Sequence, residues 1–324
     1  MSSFFNLMLP SSIALATIFL FGCIGEIIME KAGHLNLGVP GVMSMGTFGG
    51  CLGVSIVMSW YKTNPSSANW FLLILFGLLF SALMSSLAAG IYGLLTVTFK
   101  CNQNITGLAL TIFGAGFTNF FMETIDKTYF SYASKIIRYS LPFASNLGAF
   151  GKIFFSHGIL VYLSIAVAIL TSFVLNKTRV GLSLRAIGEN PSTADAAGIN
   201  IVKYKYLAIL IGSIIAGYGG FFYVMDYVGG SWENAATIQE FGWLAIALVI
   251  FTVWKPSLAI IGSILFGFLY SVPSFLSVSF VMKKVFFLLP YVVTIVVLVV
   301  TSVIGKKNVQ PPEALGQSYF REDR

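Results

Sequence analysis

Phe71-Leu72-Leu73-Ile74-Leu75-Phe76-Gly77-Leu78-Leu79-Phe80 contains no polar side chain, and its neighbours extend the apolar stretch over roughly 69–98. Tyr291 to Thr301 is a second run, almost as apolar. About 20 apolar residues cross the ~30 Å hydrocarbon core of a bilayer as a helix. Backbone amides in hydrocarbon must be satisfied within the chain, which leaves helices or a closed barrel. Barrel strands alternate apolar and polar positions over segments of about 10 residues, whereas these runs are continuous. The expected fold is therefore an all-α polytopic membrane protein. Composition agrees, with 57% apolar and 10% charged residues and a mean hydropathy of +0.87; a soluble domain carries about 25% charged residues.

Hydropathy divides the chain into nine spans near 11–29, 38–59, 69–98, 103–122, 153–175, 204–226, 241–254, 256–275 and 285–304. The third would form a helix of about 45 Å. It must tilt, protrude or break, and a break would make ten spans. The seventh is short, closes at Trp254-Lys255-Pro256, and reaches back into the polar stretch Ser231 to Glu240. Leu20-Phe21-Gly22-Cys23 has a faint look of a lipoprotein cleavage site. The first twenty residues hold no Lys or Arg, however, so the basic region of a signal peptide is missing and a retained first span is expected.

The net charge of +7 resides in loops and helix ends, as the positive-inside rule requires, and it gives no reason to expect nucleic acid as a partner. Residues 176–205 set Lys177, Arg179, Arg185, Lys203 and Lys205 against Glu189 and Asp195. The segment after Ile304 begins Gly305-Lys306-Lys307. Four spans separate the two regions, so both fall on the cytoplasmic side together, and five more spans back place the amino terminus outside. The 123–152 loop dissents: Lys127, Lys135, Arg138 and Lys152 outnumber Glu123 and Asp126 on the external side. Its Tyr129, Tyr132 and Tyr139 predict a segment lying along the headgroups. The expected organisation is one transmembrane permease domain over 1–304, with an intracellular loop at 176–205, and a cytoplasmic tail over 305–324.

No phosphate-binding GxxxxGK[ST] loop, HExxH, GxSxG or dinucleotide fingerprint occurs. No cofactor is expected on this chain. Cys23, Cys51 and Cys101 lie in or beside apolar spans, and His34 and His157 are far apart, so no metal site is expected either. Glu26 and Glu30 end the first span, where an interfacial or Lys31-paired acid competes with a functional one. Asp226 and Glu233 are expected in the external mouth. Uncharged polar residues inside spans form a candidate transport path: Asn104 and Asn119 with Phe113 and Phe117 on the fourth span, beside Gln103 and Thr106, and Asn36 between the first two. Amides and aromatic faces suit a solute rich in hydroxyls and ring nitrogens, and helix-to-helix hydrogen bonding is the competing use. Small residues four apart predict close helix packing: Ser81, Ser85, Ala89 and Gly93; Gly212, Ala216 and Gly220; Gly46 with Gly50; and Gly49 with Gly53.

The polar island Arg179 to Asn200 carries no catalytic set. It has a basic start, a proline, a helix-compatible patch at Ser192 to Ala197, and a glycine. Such a segment suits receipt of a force from a partner protein. Asn190-Pro191 sets the leading turn, Ser192-Thr193-Ala194-Asp195 resembles a capping box, and Gly198 can end the helix in a left-handed cap.

At this point a resemblance is legible. Glu30-Lys31-Ala32-Gly33-His34-Leu35-Asn36-Leu37-Gly38-Val39-Pro40-Gly41-Val42-Met43 is similar to a pattern reading roughly ERxGxxNIGxEGMM. Gly181 to Asn200 resembles a GxxLRAxGENPxAAxxxGIN loop. Both belong to the ribose-permease-like subunits of ABC importers for nucleosides and simple sugars. Trp254-Lys255-Pro256 and the tail Pro311-Pro312-Glu313-Ala314-Leu315-Gly316 to Tyr319 and Arg321 fit as well. The tail looks like that of the shorter permease of nucleoside importers that depend on a basic membrane lipoprotein. Lys31 for Arg, Pro40 for Glu, Phe241-Gly242-Trp243 and Thr252 depart from the pattern.

The resemblance implies a type II-like ABC importer permease in the bacterial cytoplasmic membrane. A second related permease, a cytoplasmic ABC ATPase that binds ATP and Mg, and an extracytoplasmic substrate-binding lipoprotein would complete the importer. It also implies that the 190–198 helix couples to the ATPase, the contact set being Arg185, Gly188, Glu189, Asn190, Pro191, Ser192, Asp195 and Gly198. Nucleosides are the expected cargo, with pentoses or hexoses as the alternative. An ion-coupled secondary transporter needs a midplane ion site, against which the scarcity of midplane acids argues. A membrane enzyme needs a convergent nucleophile, base or metal set.

Overall fold

The computed structural model describes residues 2–139, 147–276, 279–304 and 310–320. Gly305-Lys306-Lys307 and Arg321, used above for charge and for resemblance, lie outside the described residues. So does the middle of the 123–152 loop.

The helices are α1 (Ser2–Lys31), α2 (Val39–Trp60), α3 (Trp70–Gly93), α4 (Gln103–Met122), α5 (Phe130–Ile137), α6 (Gly148–Phe154) and α7 (Ile159–Lys177). They continue with α8 (Arg179–Glu189), α9 (Pro191–Ala196), α10 (Ile201–Phe222), α11 (Ala236–Phe251), α12 (Pro256–Phe275), α13 (Phe280–Phe286) and α14 (Leu289–Ile304). Among the described residues, eight helical stretches are long and apolar enough to cross a membrane, and α11 is a shorter apolar helix. Together they match the nine predicted spans. The third does not break: α3 runs on through a π-helical turn at Leu94–Thr98 as one 29-residue helix. The fifth begins later than predicted, at Ile159, because Gly148–Phe154 forms a separate short helix before it.

Hydropathy alone cannot rank helices by depth in the bundle, and the structure does. Burial covers 67% of the apolar window of α1 and 11% of that of α13–α14. It covers 83% of that of α2 and 67% of that of α10, so α1, α2 and α10 form the centre of the bundle, α1 packing also on α11, α12 and α7, and α14 is peripheral. The small-residue ladders make the close approaches expected of them. Gly25 of α1 faces Gly212 of α10, Gly46 of α2 faces Gly217, and Gly49 and Gly53 pack on the backbone of Phe80 and Phe76 of α3. A Cβ at any of these would collide with backbone, which is why the apolar helices can sit this near without a hydrophobic driving force. The α5 helix buries Phe130, Ala133 and Ile137 and turns Tyr132 outward, as a segment lying on the surface of the bundle would.

Two interruptions decide where function can sit. After α1 the chain turns at Gly33 (φ 81°) and climbs back, so α2 starts well inside the bundle. Thr111, in the middle of α4, donates its hydroxyl to Leu37 O at 2.8 Å. After α10, a π-helical turn (Tyr223–Tyr227) and Gly229 and Gly230, both left-handed, lead into irregular backbone before α11.

Candidate coupling face and transport path

The polar island folds into two short helices. Thr178 caps α8, its Oγ1 accepting from Gly181 N at 3.1 Å. Asn190 caps α9, its Oδ1 accepting from Thr193 N at 2.9 Å, with Pro191 in the first turn. The capping box expected at Ser192 is therefore displaced: an extended Asn190 supplies the acceptor two residues earlier, and Ser192 is already helical. Gly198 (φ 79°) closes the helix as expected. Its amide donates to Asp195 O at 2.9 Å and that of Ile199 to Ala194 O at 3.0 Å, the pair of bonds that defines a Schellman end. Beneath the hairpin, Ile187, Ala194 and Ile201 form a small buried cluster against Ile199, Tyr204 and Tyr319.

The tail completes this face, which the sequence did not reveal. Ala314 N donates to Gly188 O at 2.9 Å and Gly316 N to Gly33 O at 3.2 Å. Tyr319 donates its hydroxyl to Asp195 Oδ2 at 2.9 Å. Gln103 accepts from Leu35 N at 2.9 Å and donates to Gln317 O at 3.3 Å, so it braces the coupling end rather than a path. Lys100 sits 4.2 Å above the Phe320 ring. Gly188 lies against the backbone of Lys31 with no room for a side chain. Trp254, left-handed at φ 54° in the turn between α11 and α12, donates its indole N–H to Glu30. Arg185 and Glu189 line a cavity of about 610 Å³ with Lys31, Trp254 and Lys255. Of the predicted coupling set, Glu189, Asn190 and Gly198 are exposed, Arg185, Pro191, Ser192 and Asp195 half-buried, and Gly188 buried.

His34, in the turn between α1 and α2, is 1% exposed and meets the Tyr92 ring edge-on, centroids 6.3 Å apart. Burial, and then the charge of Lys205, hold its imidazole well below the ordinary histidine range. It is a neutral core residue.

The predicted path residues divide. Asn36 is wholly buried and engaged: its amide donates to Glu26 Oε1 at 2.9 Å, and its side chain accepts from Gly38 N at 2.9 Å. Asn104 and Phe113 are exposed on the outer side of α4. Phe117 packs its ring against Phe121 at 4.5 Å and Phe48 at 5.5 Å. Asn119 accepts from Ala235 N at 2.9 Å, anchoring the start of α11. The acids also differ from expectation. Glu30 makes no ion pair with Lys31 among the described residues and is buried under Trp254, and Asp226 is buried, 3.8 Å from Arg138 Nε.

A further acid was missed. From sequence the seventh span reaches back into the polar stretch that Glu240 ends, as α11 does from Ala236, but the structure sets Glu240 at mid-height. Its neighbour Phe241 packs edge-on against Phe19 in the middle of α1 at 5.5 Å, and Gln239 donates to Thr111 O in the middle of α4 at 3.1 Å. Glu240 is thus an acid at helix mid-height that the sequence reading did not count.

An all-helical membrane bundle with a braced polar hairpin at one end and no nucleotide-binding motif of its own defines a permease component. The chain belongs to the family described as branched-chain amino acid transport system / permease component, whose profile matches residues 8–299. It is 32% identical to the nucleoside ABC transporter permease protein NupC of Lactococcus lactis, over 94% of each chain. It is 28% identical to the guanosine ABC transporter permease protein NupQ of Bacillus subtilis, over 98% of each. TsgC13 of Haloferax volcanii, an ABC permease named for glucose, is 31% identical over 81% of this chain and 75% of its own. The family resemblance read from Glu30–Met43 and Gly181–Asn200 is borne out.

Proposed function

We propose that this chain is a permease subunit of an ATP-driven importer that moves nucleosides by alternating access. The observation that carries the reading is end-to-end similarity to two nucleoside permeases, 94% and 98% of their lengths. ATP hydrolysis belongs to a separate ABC ATPase, because this chain holds no phosphate loop. That ATPase docks on Glu189, Asn190 and the exposed side of α9. Arg185, Ser192 and Asp195 support the contact, while Gly188 and Gly198 set the backbone. The tail moves with the hairpin, because Tyr319 ties it to α9 and Ala314 ties it to Gly188 at the end of α8. This face and the carboxyl terminus lie in the cytoplasm of a bacterial cell, and the amino terminus outside.

A second permease forms the other half. Lactococcus lactis NupB is also similar to this chain, but at 22% identity over 64% of it, so this chain takes the NupC-like place and a NupB-like chain the other. An external lipoprotein delivers the solute. Reconstitution of the four components in proteoliposomes, with uptake of labelled guanosine, adenosine, ribose and glucose compared, tests the reading. ATP-dependent nucleoside uptake supports it. Preferential sugar uptake would favour the reading to which TsgC13 points. Uptake without the ATPase, following a proton or sodium gradient, would overturn both.

A further inference from the structure

The α11 helix has 16 residues and spans about 24 Å, too little to cross the ~30 Å core. It begins inside the membrane. Asn119, in the outer part of α4, caps the irregular chain that leads to it. Non-helical backbone at that depth survives only where protein or water covers it.

One stripe of α11, running through Ala236, Gln239, Glu240, Trp243 and Ala247, faces an open trough of about 650 Å³ whose far wall includes Tyr291. Every other face of α11 is buried against α1, α2, α12 or α14. Glu240 is exposed in this trough at the mid-height of α1 and α4. The Tyr270 hydroxyl donates to its Oε1 at 3.0 Å. Among the described residues it has no cationic partner. A carboxylate held there cannot face hydrocarbon; such residues face a water-filled cavity or the interior of the complete assembly. Substrate sites of transporters gather at the midplane beside broken or shortened helices for the same reason.

We infer that the α11 stripe is the solute site of the translocation path, with Glu240 accepting hydrogen bonds from vicinal hydroxyls and Trp243 stacking on the attached ring. The ligand class is a ring-bearing polyol, and the inference rests on the proposed function in naming it a ribonucleoside. Residues three apart on a helix project side by side, so one sugar with its base can reach both groups at once. Tyr270 holds the carboxylate in place as a positioning residue. The amide nitrogen of Gln239 is committed to Thr111 O, which leaves its carbonyl oxygen as a further acceptor.

Two measurements on the complete importer test this. In the first, Ala236→Cys, which lines the trough one turn before Glu240, is made on a Cys101→Ser background; Cys23 and Cys51 are buried. An anionic methanethiosulfonate should label the new thiol, and saturating guanosine with its binding protein should slow labelling at least about fivefold. Absent labelling, or labelling indifferent to solute, overturns the site.

In the second, uptake of guanosine is compared with that of 2′,3′-dideoxyguanosine. A hydrogen bond to a charged group discriminates by about tenfold or more, so the unaltered importer should prefer guanosine by that factor. Glu240→Gln and Tyr270→Phe should reduce the preference to under about threefold. An unchanged preference in Glu240→Gln refutes the assignment. If the unaltered importer carries simple sugars instead, the nucleoside reading fails, and protection of the Ala236→Cys thiol by that sugar still upholds the site.

Discussion

Replacing Asn190 by Ala removes the one side-chain acceptor that caps α9. The bond lost is Asn190 Oδ1 to Thr193 N, 2.9 Å. Asn190 is extended, φ −149° and ψ 96°, a conformation any residue adopts without strain, so the substitution reports on the cap and not on the backbone. Such a cap contributes about 1 kcal/mol, or about fivefold in the opening equilibrium. A helix of six residues has no stability of its own. It persists through this cap, the Gly198 end and the burial of Ala194, so losing one of the three should be felt throughout.

Hydrogen exchange of the 192–198 amides in the purified permease measures it. Exchange should rise about fivefold for Ala, remain near the native rate for Asp and Ser, and rise less than about twofold for Gly, whose solvated backbone replaces much of the cap. In the reconstituted importer the Ala variant should hydrolyse more ATP per solute moved, with Asp restoring the ratio. Native-like exchange in Ala, or Gly exchanging faster than Ala, would refute the reasoning.

Three further outcomes follow from the same geometry. Gly188→Val drives a branched side chain into the Lys31 backbone and should destabilise the permease by about 3 kcal/mol, read as a large fall in melting temperature. Gly90→Ala, where nothing lies within 4 Å, should be neutral or gain up to about 1 kcal/mol, and an equal loss in both would be inconsistent with the packing described. Tyr319→Phe deletes the bond to Asp195 and should release the tail, seen as faster proteolysis near residues 310–320, with α9 exchange rising in parallel; a tail as protected as before would separate the two elements. His34 is held neutral in the folded state, below its unfolded pKa, so its contribution is present above about pH 6.5 and is lost as pH falls below that value. Its slope is at most about 1.4 kcal/mol per unit. Comparison of His34→Gln with the parent from pH 7 to 5 should show the variant less acid-sensitive; parallel curves would mean that the histidine is not buried neutral.

The sequence by itself determined the class of fold, because amides in hydrocarbon need a helix or a closed barrel and an unbroken apolar run such as 71–80 lacks the alternation of a barrel strand. It also determined the short α9 helix, since Asn190, Pro191 and Gly198 act through local backbone chemistry that neighbours do not alter. The cap was misplaced by two residues only because Asn and Ser serve equally well there. What the tertiary structure decided is depth and juxtaposition. Glu240 reads as the polar edge of the seventh span, because charge and polarity mark water in a linear scan. Its height comes from Phe19 and Thr111, contributed by helices more than a hundred residues away in sequence. Asn36 reads as a lining residue, and Gly33 and Gly188 as parts of separate motifs. Only packing shows the first to be consumed by the fold and the other two to be joined through the tail. Local hydrogen bonds are encoded within a few residues, whereas the water that a transport path needs inside a membrane is bounded by helices that meet only when the chain has folded.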